Sequence, residues 1–258
     1  MALKIRRRRR SPEGSMTVFE HLDELRTRII IMIVAVAVGT AVAWPLYRPV
    51  FNLLTNPYCK FITQHPELAV DRMHPCRLVF LSILEPFLIK IKVVVFLGLV
   101  IALPIVLYEF WMFVTPALNP RERRFAIPFV VSSLFLFALG GLFAMLTLPK
   151  GLGFLLGFAG TSRLFSVLSI SKFLSFVMLL IAAFGLSFEF PLVLVSLTAV
   201  GVLNSQRLRK WRRTAILLIA LFAAVITPSQ DWFTMTAMMV PLLVFYEISI
   251  LIARLMKK

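Results

Sequence analysis

Acidic residues are scarce in this chain, with twelve among 258 against 28 lysines and arginines. Histidine is scarcer, at three, and cysteine scarcest, at two. The histidines His21, His65 and His74 form no H-E-x-x-H pattern, and neither G-x-S-x-G nor G-x-x-x-x-G-K-[ST] occurs. Those absences leave no catalytic constellation and no nucleotide cradle, so the chain reads as a non-enzyme that needs no cofactor. His65, His74 and Cys76 share one loop, but scattered loop residues of this kind are more often solvated than metal-bound, so no metal is expected. No internal repeat is visible, and the only low-complexity stretch is RRRRR at Arg6 to Arg10.

What the chain has in excess is hydrocarbon. Apolar residues make up 60% of it, above the roughly 45 to 50% of a soluble domain, which makes the bilayer its solvent. A nucleic-acid binder can be equally basic, but a chain this apolar uses its cations to fix topology, and no nucleic-acid partner is expected. Runs long enough to cross occur at 29–47, 93–114, 125–148 and 173–202, and two more follow at 214–226 and 232–252. The expected fold is therefore all-α and polytopic, with six membrane helices. A basic segment, 1–28, precedes a single membrane domain, 29–252, and a tail, 253–258, follows it. The fifth run covers roughly 20 Å at 1.5 Å per residue, short of about 30 Å of hydrocarbon, so it either forms a re-entrant hairpin with the sixth or thins the membrane around it; thinning is the preferred reading. The glycine-rich GLGFLLGFAG, 151–160, reads as a loop or interfacial segment.

Nineteen of the 28 lysines and arginines fall on one side of this arrangement, in the N-terminal segment, the 2/3 loop, the 4/5 loop and the tail. The positive-inside rule then places both termini in the cytoplasm. The first external loop, 48–84, carries Cys59 and Cys76, candidates for one disulfide on the side where disulfides persist; their spacing alone does not fix the geometry. Pro45, Pro49, Pro57 and Pro66, in and before this loop, suggest an irregular cap.

Acids stand out where they are expensive. Glu189 lies in the middle of the fourth span, where an ionised group costs roughly 2.5 to 3.5 kcal/mol on translocon scales. Either it is a neutral acid bonded to a neighbouring helix, or it offers a polar contact to a substrate or partner helix. Glu109 and Glu247 lie nearer the ends of their spans, where structural roles are expected. At the basic face, Glu24 sits between His21 and Arg26, and Glu122 between Arg121 and Arg123. Each carboxylate either binds a guanidinium brought by a ligand or neutralises its own neighbours as an exposed pair, worth about 0 to 1 kcal/mol. The residues alone leave both open, and they leave Glu20 and Asp23 unassigned.

The motifs HLDELRTR before span one, EPFLIKIK before span two, FWMFVTPALNPRERR after it, LSFEFP in span four, TPSQD before span six and YEI near the end resemble, in order and spacing, the TatC family of twin-arginine protein translocase subunits. The resemblance runs from about Met16 to Arg254. It implies a glove-shaped six-helix receptor with short fifth and sixth helices, in the cytoplasmic membrane of a prokaryote. Such a receptor binds twin-arginine signal peptides of folded proteins on its cytoplasmic side and assembles, in several copies, with TatA- and TatB-type single-span subunits under the proton-motive force. Carried over by position, the signal-binding set is Glu24, Arg26, Phe113, Pro116, Glu122, Arg123 and Arg124. Pro57 matches the family's loop proline, Glu189 its intramembrane acid and Asp231 its turn acid. Met235 stands where some members carry glutamine, which puts in doubt a polar contact to partner subunits there.

Arg6 to Arg10 ahead of an apolar run, with AVA at Ala41 to Ala43, can also be read as a signal peptide in its own right; Glu20, Asp23 and Glu24 intervene, and the run is the first of six. The arginines are instead expected to strengthen the inside bias and to bind anionic lipid. The alternative function is a small secondary transporter using Glu189, for which internal repeats or paired broken helices would be usual and are not seen.

Overall fold

The computed structural model describes residues 18–66, 73, 76, 78–114, 126–157, 169–199, 201–228 and 231–256. These residues are almost wholly helical: α1 (Val18–Ala43), α2 (Tyr47–Gln64), α3 (Glu85–Val114), α4 (Ala126–Gly157), α5 (Ile170–Phe188), α6 (Phe190–Ala199), α7 (Ser205–Lys210), α8 (Arg212–Ile226) and α9 (Trp232–Leu255). A single bridge, Val79 to Ser169, is the one β contact among them. Five segments are long and apolar enough to cross a membrane: α1 running into α2, α3, α4, α5 with α6, and α9.

α8 and α9, of 15 and 24 residues, are shorter than α1, α3 and α4, of 26, 30 and 32. Only α8 falls below crossing length, at roughly 22 Å. The two pack against each other, with Arg212 on α8 paired to Glu247 on α9 at 2.5 Å.

α5 and α6 make the central span, whose apolar stretch is 56% buried against 28% or less for the others. Phe184, Leu174 and Val177 of α5 meet Ala144 and Leu148 of α4, while Met238, Leu242, Tyr246 and Ile250 recur every four residues along α9 to close the core. The span breaks at Glu189, two residues before Pro191, whose missing N–H removes a helical hydrogen bond. α6 ends in a Schellman motif: Val202 N–H donates to Leu197 O and Gly201 N–H to Thr198 O, with Gly201 at φ +84°.

α1 packs almost wholly on α3, and it does so by backbone approach. A Cβ on Gly39 would lie 2.5 Å from Gly98 O, and one on Gly98 would lie 2.6 Å from Thr40 Cα. At the opposite end of α3, Glu85 ties two connecting segments together. It accepts hydrogen bonds from Leu81 N at 2.5 Å, from Ser171 N at 3.0 Å and from the Ser169 hydroxyl.

Two expectations are corrected. The loop expected at Gly151 is helix as far as Gly157, because Gly153 is seated against Phe61, where a Cβ would come within 3.2 Å of the ring; its glycine serves packing, not a turn. The irregular cap expected of the first external loop is helical over α2, with Pro49 in its first turn, where no N–H is required, and Pro57 buried inside it. α1 also begins at Val18, so the acidic motif of the N-terminal segment is the first part of the first helix.

Candidate functional site

Glu24 and Arg28 are one turn apart on α1, the i, i+4 spacing that brings side chains together on a helix surface. Arg28 Nη2 meets Glu24 Oε1 at 2.5 Å, and Arg28 Nη1 meets Glu109 Oε2, on α3, at 3.0 Å. The guanidinium thus bridges two carboxylates on two helices. Side-chain exposure is 14% for Arg28, 14% for Glu109 and 25% for Glu24, so solvent screens the cluster only partly. One cation against two anions leaves a net charge of −1. Glu24 Oε2 and Arg28 Nε are buried and have no hydrogen-bond partner among the described residues. A half-buried site with an excess carboxylate and an unmet acceptor oxygen is suited to a second guanidinium, the donor that pairs with carboxylates in bidentate geometry.

Of the residues expected here, Glu24 lies half-buried near the start of α1. Arg26 points to an exposed position, and it is Arg28, not Arg26, that engages Glu24. Phe113 is half-buried in the last turn of α3. Pro116, Glu122, Arg123 and Arg124 lie outside the described residues. The helix ends that flank their loop are fixed by Trp111 of α3 stacked on Phe129 of α4, with centroids 3.6 Å apart and planes at 14°. Asp23 is exposed, and its backbone carbonyl accepts from the Thr27 hydroxyl.

The intramembrane candidates separate into caps, packing and one open acid. Asp231 is the N-cap of α9, accepting from Thr234 N at 2.8 Å and from the Thr234 hydroxyl at 2.6 Å. Replacing it with alanine is expected to destabilise the start of α9 by about 1 kcal/mol, the usual value of such a cap, read as a lower thermal midpoint in detergent. Met235 packs against the core. Pro57 is buried in α2. Cys59 and Cys76 are free thiols, in hydrogen-bonding reach of each other, so the candidate bridge is unformed here although its partners are neighbours.

Glu189 accepts a hydrogen bond from the buried hydroxyl of Ser133 on α4, which ties it to the neighbouring helix. Its other oxygen, Oε1, is buried with no partner among the described residues. The acid therefore satisfies half of each reading: one oxygen serves structure and one remains open. Glu247 serves structure through Arg212.

Arg28, Glu109 as its second anchor, and Ser133 were not legible as site residues. Arg28 carries a signal in its i+4 distance from Glu24, masked because it is also one of the cations that set topology. Ser133 had none, since a serine in an apolar helix carries no periodic mark.

Fold and site together define a polytopic helical membrane protein with a net-negative carboxylate–guanidinium cluster where its first two spans meet. The family described as Sec-independent protein translocase protein (TatC) matches residues 20–241. The chain belongs to that family, and is thereby a component of the twin-arginine translocase type. It is 41% identical over 253 residues to the TatC of Frankia casuarinae, spanning 97% of this chain and 69% of that protein. It is 40% identical over 242 residues to the TatC of Aquifex aeolicus, spanning 93% and 95%. A crystal structure of the twin-arginine translocase receptor TatC superposes with a TM-score of 0.73 at 39% identity, covering 93% of this chain and all of that one. A second, described as in DDM, gives 0.74 with coverage of 91% and 99%.

Proposed function

We propose that this protein is the receptor subunit of a twin-arginine translocase, in the cytoplasmic membrane with both termini inside. In this reading Glu24 and Glu122 receive the arginine pair of an export signal, with Arg26, Phe113, Pro116, Arg123 and Arg124 shaping the surroundings. The observation that carries the reading is the charge imbalance of the Glu24–Arg28–Glu109 cluster, one guanidinium short of neutrality and holding an unmet carboxylate oxygen. Family membership supplies the context, and the placement of nineteen of 28 cations on one side supports the orientation.

The open oxygen of Glu189 supports a second contact, to a donor on the single membrane helix of a TatA- or TatB-type partner. Several copies of the chain with such partners would form the working complex, driven by the proton-motive force. A transporter role for Glu189 is less well supported, since the break at that residue has no counterpart break at a second charged position among the described spans.

The test is photo-crosslinking of a twin-arginine peptide to the region of Glu24 and Glu122 in membranes. The crosslink is expected to weaken strongly on Glu122→Ala with the fold intact, and its persistence in the double alanine variant would refute the receptor reading.

A further inference from the structure

Two cysteines are all that the chain contains, so each has one possible partner within it. Cys59 lies in the last two turns of α2, on backbone that is firmly seated. Its neighbours Tyr58, Phe61 and Ile62 are buried. The Tyr58 ring lies against Phe173 of α5, with centroids 5.4 Å apart, and Phe61 lies against Gly153 of α4.

Cys76 approaches from the far part of the same external loop, and the segment that follows it is anchored too. Leu78 packs against the core, Val79 O accepts from Ile170 N at 3.0 Å, and Leu81 N donates to the Glu85 carboxylate at 2.5 Å. The packing on either side of the loop thus brings the two thiols within hydrogen-bonding reach. Cys76 is exposed and Cys59 half-buried. Among the described residues no third His, Cys, Asp or Glu joins them to hold a metal, whereas a structural zinc takes four ligands. Oxidation is the chemistry left to such a pair.

We propose that Cys59 and Cys76 are an oxidation site, closed to a disulfide after membrane insertion by the protein disulfide of an exported thiol oxidoreductase. The proposal rests on the orientation proposed above, which sets this loop outside, where disulfides persist. Exposed Cys76, as its thiolate, attacks one sulfur of the oxidant's disulfide and expels the other as a thiolate. Cys59 then gives its proton to water, attacks the Cys76 sulfur of the mixed disulfide and releases the oxidant's second thiolate. Two thiols are oxidised to one disulfide, the oxidant's disulfide is reduced to a dithiol, and the two protons reach it through water. The product closes a loop of about 18 residues. It staples the end of α2 to the segment that Glu85 ties, through Ser169 and Ser171, to the start of α5.

The test uses the full chain in the membranes of the cells that make it, quenched with acid so that thiols are trapped as they stand. A maleimide-linked polyethylene glycol is expected to add nothing to wild type before reduction and two labels after it. Cys59→Ser and Cys76→Ser are each expected to take one label without reduction. Two labels on unreduced wild type would overturn the proposal. A membrane-impermeant maleimide applied to spheroplasts of the Cys59→Ser variant separates this result from the orientation. Labelling of Cys76 from outside upholds the orientation whatever wild type shows, and labelling only after lysis refutes the orientation and the proposal with it. Reducing the purified wild type is expected to lower its thermal midpoint by roughly 5 to 10 °C and to leave that of Cys59→Ser unchanged. No shift in wild type would overturn the staple.

Discussion

Glu24→Gln is expected to weaken binding of a twin-arginine peptide by about thirtyfold or more, whereas Glu109→Gln weakens it by only about tenfold. The two carboxylates hold the same guanidinium, yet their removal has different consequences. Losing Glu24 removes the acceptor whose Oε2 is unmet, and truncating one member of a desolvated charge pair costs about 2 to 5 kcal/mol, where 1.4 kcal/mol is a factor of ten. Losing Glu109 leaves Arg28 and Glu24 as a balanced pair, so that Arg28 becomes an internal competitor for the oxygen the ligand needs. Fluorescence anisotropy with a labelled peptide, at fixed ionic strength, checks both values. Equal effects of the two changes would mean that the cluster acts only as a structural clasp between α1 and α3.

Gly98→Leu is expected to lower the thermal midpoint by about 5 to 10 °C and to depress peptide binding with it. A Cβ at Gly98 would overlap the Thr40 backbone at 2.6 Å, and backbone cannot rotate away as a side chain can. Overpacking costs about 1 to 3 kcal/mol or more, and a chain of this size loses roughly 2 to 4 °C per kcal/mol. The functional part of the effect follows from the attachment of α1, which rests almost wholly on α3. Pushing the two helices apart at Gly39 and Gly98 also misaligns Arg28 with Glu109 at the other end of the same interface. Gly201→Ala serves as a contrast: it strains the positive φ of a turn remote from α1, so it is expected to affect stability without altering peptide affinity.

The spans were legible because an apolar run bounded by charge has few alternatives in a membrane; the short α8, framed by Arg213 and Thr227 in the sequence, is framed by Trp211 and Thr227 in the fold. Glycine and proline were less legible. GLGFLLG looks like a loop until Phe61 is found against Gly153, and Pro57 looks like a breaker until it is found buried within α2. In both cases tertiary packing overrides a local preference that is sound for an isolated segment. Acids were legible as anomalies, since each is costly in or near a bilayer, but their partners were not. Arg28 lies 81 positions from Glu109 and Ser133 lies 56 from Glu189, and periodicity carries no information over such distances.

The most direct measurement is the affinity of twin-arginine against twin-lysine forms of one signal peptide, for wild type and for the Glu24→Gln, Glu122→Gln double variant. If paired carboxylates receive planar guanidinium groups, wild type prefers arginine by at least about tenfold and the double variant binds both peptides weakly and equally. An arginine preference that survives in the double variant would contradict the account.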